Sequence, residues 1–211
     1  IEPGLFSMGD ENGSKFEKPV RKVEITDPYF IGARPVTQVE WTSVMGANPS
    51  KFNEGWSAGL RPVEKVSWLD CMSYISKLNE IDQSEKLGLV GSWRLPTEAE
   101  WEFACRAGTT TKWFHSDADF DLDEVGWHAG NSGATTREVG QKKANDWGLF
   151  DVHGLVGEWC SDRWDNDNLR RIHRGGSWFT ESDATRSAAR SSANVDRRSD
   201  GIGFRLVWSP Q

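Results

Sequence analysis

The chain has 211 residues, 27% of them charged and 36% hydrophobic, with a mean hydropathy of −0.63. No apolar run approaches the ~20 residues that span a bilayer, which excludes membrane insertion of this domain. The net charge of −7 argues against nucleic acid or an anionic membrane as partner. The charge is unevenly spread: residues 170–211 hold eight Arg against four Asp and Glu, or +4, so residues 1–169 carry −11. Twelve Trp beside only two Tyr, with 21 Gly, describe loops pinned by buried indoles. Cys71, Cys105 and Cys160 are too few for a disulfide scaffold, and at least one is unpaired within the chain. The first residue is Ile1 and not Met, so a native N-terminus with any targeting segment is expected upstream.

In chain order, Val23 and Ile25, then Tyr29, Phe30 and Ile31 beyond the Asp27-Pro28 turn, predict an early antiparallel strand pair. Three helix starts follow with one grammar. Thr37 with Glu40, Ser67 with Asp70 and Thr97 with Glu100 each form a capping box, and Val36 can staple to Trp41. Gly46 and Gly108 stand where C-terminal caps belong. The middle helix is expected from about Trp68 to Asn79, with Trp68, Met72, Ile75 and Leu78 on its buried stripe. Residues 109–170 lack a sustained period and predict short strands and turns organised by indoles or a metal ion. Strand-like runs return at Ile172 to Trp178 and Phe204 to Trp208. The whole reads as one α+β domain over 1–211, with few helices and much loop.

Several blocks then carry a resemblance. Pro35-Val36-Thr37, the run Pro62 to Trp68, Arg94-Leu95-Pro96-Thr97-Glu98-Ala99-Glu100-Trp101-Glu102, the run Trp147 to Val152, Glu158-Trp159, Arg174-Gly175-Gly176-Ser177-Trp178 and Gly203-Phe204-Arg205-Leu206 resemble the formylglycine-generating enzyme (sulfatase-modifying factor) family. They stand in family order over nearly the whole chain. The resemblance implies a C-type lectin-like fold: a small twisted antiparallel sheet, few helices and long loops. It does not settle function, because the family spans oxidases, maturation proteins and binding proteins.

The copper enzymes of the family bind Cu(I) through two cysteines shortly after the Gly-Gly-Ser-aromatic motif, and those positions here are Thr180 and Thr185. Hydroxyls do not replace soft thiolates on Cu(I), so no copper is expected. The four histidines, His115, His128, His153 and His173, show no metal-ligand spacing and are read as loop or surface residues, against the iron enzymes of the family. The stretch Asp151 to Glu158 aligns with a calcium site of the family. Its implied ligands are the side chains of Asp151 and Glu158 and the carbonyls of Gly154 and Val156, holding Ca2+ as a structural ion. Leu155 and Gly157 depart from the Asn and Trp usual there. The other reading of Asp151 and Glu158 is as turn caps or partners of arginines.

Within residues 173–202 a framework (Arg174 to Trp178, Arg186, Ala188, Arg190) alternates with unpatterned residues. This arrangement is similar to the variable proteins of diversity-generating retroelements, in which an Asn codon randomised at its adenines yields this same set of residues. The alternative is an ordinary polar loop. On the display reading the candidate ligand-binding residues are His173, Phe179, Thr180, Ser182, Asp183, Thr185, Asn194, Val195, Arg198 and Asp200, with Phe179 and Arg198 as energetic anchors. The function expected is that of a non-catalytic, monomeric binding protein for a protein or other macromolecule, displayed outside the cytoplasm or at the cell surface. The alternative is a maturation enzyme of the same fold, an oxidoreductase acting on a peptide or siderophore precursor.

Overall fold

The structure, a computed structural model, describes residues 1–83, 88–165 and 168–211, the side chain of Phe120 excepted. It is α+β, with few helices, short strands and long loops. The helices are α1 Gln38–Met45, α2 Trp68–Ile81, α3 Glu98–Arg106 and a single turn, α4 Leu122–Val125. All three predicted capping boxes form: Thr37, Ser67 and Thr97 each accept from the backbone N–H three residues on, while Glu40, Asp70 and Glu100 reach back to the cap. The left-handed cap of α1 is Gly46, as expected, but α3 closes one residue earlier, on Ala107 at φ 46°. The buried face of α2 also differs from the expected stripe. Cys71, Tyr74 and Ile75 are buried, Trp68 and Leu78 pack at the margin, and Met72 faces outward.

Strand β1 (Gly4–Met8) pairs antiparallel with β2 (Arg21–Ile25). The expected pairing of Val23 and Ile25 with Phe30 and Ile31 is therefore not made. The short strand β3 (Phe30–Ile31) instead pairs with β11 (Val207–Pro210), which also pairs with β4 (Gly91–Arg94). Local alternation locates strands but does not choose partners. A two-stranded ribbon joins β5 (Gly126–Trp127) to β6 (His153–Gly154) in parallel.

The main sheet has the order β10-β7-β8-β9, from Ile202–Gly203, Gly157–Arg163, Arg170–Arg174 and Arg190–Asn194. Its β10–β7 pair is parallel and the others are antiparallel. Strand alternation gives its two faces different tasks. Cys160, Ile172 and Arg174 face a core built on α3, where Trp101, Ala104 and Cys105 pack with Trp113 and Leu122. Trp159 faces a second core under α1 and α2, with Trp41, Tyr74 and Phe204; Trp41 stacks on Tyr74 at 5.2 Å, and Phe204 meets both edge-on. On that same face, toward one end, the side chains shrink to Gly157, His173, Ser191 and Ala193. The sheet is open there.

Candidate functional site

The open end of the sheet is the floor of a cleft of about 620 Å3. Its walls come from two distant segments, Ser14 to Glu17 and residues 175–201. Phe16 and Phe179, each 47% exposed, stand in these two walls. The turn above the floor depends on Gly176, whose φ is +70°. A Cβ there would lie 2.8 Å from both the Ala184 carbonyl oxygen and Thr185 Cγ2, and 2.9 Å from Thr180 Oγ1, so only glycine fits.

Buried charge fixes the walls. Arg174 is fully buried; its Nη1 donates to Glu98 at 3.0 Å and to the Ala188 carbonyl, and its Nη2 donates to Glu102 at 2.5 Å and to the Ser187 carbonyl. Burial alone would lower the pKa of this guanidinium, but the carboxylates of Glu102 and Glu98 hold it raised and charged. Arg190 grips both oxygens of Glu98 from the other side. Arg186 ties the second wall to the first through Glu17 (2.7 Å) and Asp10 (3.3 Å). Arg205 closes on Glu158 with two bonds of 2.8 and 2.9 Å, both side chains fully buried.

Of the sequence-derived candidates, His173, Phe179, Thr180 and Asp183 line this cleft. Ser182 starts the short 3-10 turn behind it, half-buried. Thr180 has a local duty as well, accepting from the Ser177 N–H at 2.9 Å. Thr185 does not join them. It is fully buried, its hydroxyl accepting from Trp113 Nε1 at 2.9 Å and donating to the Ser182 carbonyl at 2.7 Å, so it supports the core and presents nothing outward. Asn194, Val195 and Arg198 sit at the far end of β9 beside α2, where Arg198 holds Asp70 at 2.7 and 2.8 Å. Asp200 pairs with Lys51, and Lys51 lies over the rings of Phe52 and Trp178. Trp178 is half-buried, edge-on to Phe52 and Phe179, with its Nε1 on the Asp200 carbonyl. The sequence reading missed the Ser14–Glu17 wall. Its one signal was the Arg surplus after residue 170, which demanded carboxylates from elsewhere.

The histidines also depart from expectation. His153 is wholly buried: Nδ1 meets the Thr185 carbonyl at 2.8 Å and Nε2 accepts from the Phe114 N–H at 3.1 Å. Both partners favour the neutral Nδ1–H tautomer, and burial lowers its pKa to about 3. His173 is likewise held neutral by burial, at about 4. All three cysteines are buried and unpaired, with their thiol pKa values pushed up by burial.

In the segment aligned with calcium, Asp151 is buried at φ 59°; its Oδ2 accepts from the Gly140 N–H at 2.7 Å, and its Oδ1 has no partner. Burial raises its pKa to about 6. That oxygen suits a hard cation. Glu158 is occupied differently, since Arg205 takes both its oxygens and Trp101 Nε1 donates to one of them at 2.6 Å. The Gly154 carbonyl accepts from the Val156 N–H. Among the described residues no group of three or more His, Cys, Asp or Glu is placed to hold a metal ion. No helix among them is long and apolar enough to cross a membrane.

Comparison with known proteins places the geometry. A family model described as "Sulfatase-modifying factor enzyme 1-like domain" matches residues 1–210. The chain is 29% identical to chaperone protein LppX of Paenibacillus barcinonensis, over 99% of this chain and 88% of that one. It is 25% identical to serine/threonine-protein kinase pkn1 of Chlamydia caviae over 98% of its length, but spans only 37% of that relative. Among solved structures, Treponema denticola variable protein 1 superposes with a TM-score of 0.89 at 30% identity, covering 100% of this chain and 94% of that one.

Proposed function

The chain belongs to the sulfatase-modifying factor enzyme 1-like family, and from that premise we propose that it is a non-catalytic binding protein. It presents the cleft and the adjoining β9 end to a protein or other macromolecular ligand, as a monomer, outside the cytoplasm or at the cell surface. One observation carries this reading. The side chains that face solvent, Phe179, Asp183 and Asn194, lie on backbone held by buried arginines and carboxylates that lie behind them. Such a loop can change its exposed residues without disturbing its supports. Likeness to a protein named variable protein 1 supports the same view. The two positions at which copper enzymes of this fold carry cysteines are both within reach of Gly176, and both hold hydroxyls engaged in local hydrogen bonds. A soft-metal oxidase has no thiolate to use there.

A structural Ca2+ is the second part of the proposal. Its support is the free Asp151 Oδ1, with the Gly154 and Val156 carbonyls in the same segment; Glu158 would have to exchange Arg205 and Trp101 to take part.

The test is a displayed library in which Phe179, Thr180, Asp183, Asn194, Val195, Arg198 and Asp200 are randomised together and selected against hen lysozyme. Most members folding, with lysozyme binders among them, supports a display surface. A library that largely fails to fold, or turnover of a cysteine peptide by the parent chain, overturns it.

A further inference from the structure

Among the described residues the buried carboxylates of Glu17, Glu98, Glu102 and Glu158 each meet an arginine. Glu64 is as deeply buried, at 0% exposure, but its Oε1 accepts only from a backbone N–H, that of Phe52 at 2.9 Å, and its Oε2 has no hydrogen-bond partner. Burial pushes its pKa up to about 7, although the backbone N–H groups of Phe52 and Lys51 pull against that shift. Of the charges around it, Asp200 from the 199–201 segment opposes its ionisation and Lys65 on its own turn favours it, while Lys51 gives its ammonium to Asp200 at 2.5 Å. The backbone is strained at the same turn: Lys65 sits at φ 57°, its N–H on the Ser199 carbonyl at 2.8 Å. The loop at 46–57 is fastened to α1 by Trp41 Nε1 on the Ala47 carbonyl (3.0 Å), Asn48 on Gln38 (2.8 Å) and Gln38 on the Phe52 carbonyl (3.1 Å). On its other side it meets Glu64, through the Phe52 N–H and through Ser50, whose Oγ accepts from the Glu64 N–H at 3.2 Å. Past Phe52 the loop is exposed to its tip at Trp56, which is 95% exposed. Phe52 stands edge-on to Trp178 at 5.2 Å, so this loop rests on the rim of the presented face.

We propose that residues 50–56 form an acid-closed strap on the rim of the presented face, with Glu64 as its latch. With Glu64 protonated the strap is seated: Lys51 masks Asp200, and Phe52 covers the edge of Trp178. Ionisation leaves a bare carboxylate in the interior, and lifting the strap returns it to water at less cost than unfolding the whole domain. Asp200 and Trp178 are then open to a partner. Lifted into water, Glu64 returns to the ordinary glutamate value of 4.5, so between there and about 7 the open strap binds fewer protons than the closed one. Rising pH favours release across that window and adds nothing above it. The latch does not depend on the display reading, and either can fail alone.

Amide hydrogen exchange of the whole chain, read by NMR as protection factors at about pH 5 and about pH 7, tests the latch. Protection of the Phe52 N–H should fall by about tenfold or more between the two, since both lie inside the window in which the open strap releases a proton. Phe52 should exchange faster than Ile172 in the middle of the main sheet at both values, which marks a local opening. In Glu64→Gln, whose side chain cannot ionise, the protection of Phe52 should be the same at either pH. Protection that is flat in the wild type, or that falls equally in E64Q, overturns the proposal. So does exchange of Phe52 only together with Ile172, because the pH dependence would then belong to global unfolding. If circular dichroism shows E64Q to be unfolded, the wild type still decides: the Glu64 carboxyl carbon should titrate with a midpoint near 7 and the Phe52 amide shift should follow it, whereas a midpoint near 4.5 refutes the latch.

Discussion

Six of the eight arginines in the last 42 residues fall into two groups with opposite physics. Arg174, Arg186 and Arg205 are buried and Arg190 largely so, and each meets a carboxylate contributed by the first 160 residues: Glu98, Glu102, Glu17 or Glu158. Arg197 and Arg198 stand in solvent at the β9 end, and Arg198 makes only a surface pair with Asp70. The uneven charge along the chain is thus largely internal pairing in space. It ties the C-terminal segment to the N-terminal wall and is not a basic docking surface. Buried pairs confer little net stability over apolar packing, but breaking one strands a charge; exposed pairs contribute almost nothing.

That contrast is most exposed to failure at Arg174. Arg174→Met leaves Glu98 and Glu102 in the core without their shared counterion and should lose ~3–5 kcal/mol in urea unfolding. A loss below about 1 kcal/mol would mean the network is not what fixes the cleft walls. Calcium tests a buried carboxylate that no arginine holds, Asp151. If Asp151 holds an ion, Ca2+ at a hundred times its Kd should add about 2.7 kcal/mol, and Asp151→Asn should remove the response; identical melts in Ca2+ and EDTA refute the ion.

Two threonines sharpen the comparison within one loop. Thr185→Val removes the acceptor of Trp113 Nε1 inside the core and should cost ~1–3 kcal/mol. Thr180→Val, in the cleft wall, should cost less than half as much by thermal melting. Equal losses would erase the distinction between supporting and presenting residues.

His153 provides a pH test. Its folded pKa, about 3, lies below the unfolded value of 6.5, so between these the unfolded chain binds more protons. Its neutral form therefore stabilises the fold at pH 7, and that contribution declines as pH falls below about 6.5. The stability difference between the wild type and His153→Gln should shrink from pH 7 to pH 4.5. A constant difference would show that the imidazole titrates normally in the fold. Smallest of all, Phe179→Ala, Asp183→Ala and Asn194→Ala should each change stability by within about 0.5 kcal/mol, since these side chains are exposed.

What the sequence determined by itself is what lies within four residues of its cause. The caps Thr37–Glu40, Ser67–Asp70 and Thr97–Glu100 start three helices because each box closes locally, and the ordered motif blocks identified the family. The tertiary structure decided the partners. Alternation at Val23 and Ile25 marks a strand equally well beside β1 or β3, and only the packed sheet selects β1. Thr180 and Thr185 look alike in the chain, but the turn at Gly176 sends one to the cleft wall and the other under Trp113. The cleft itself joins residues 14–17 to residues 173–201, and no local pattern records a contact across that separation. Hydrogen bonds within a turn are written in adjacent residues, whereas burial and ion pairing depend on what the rest of the chain brings to the same place.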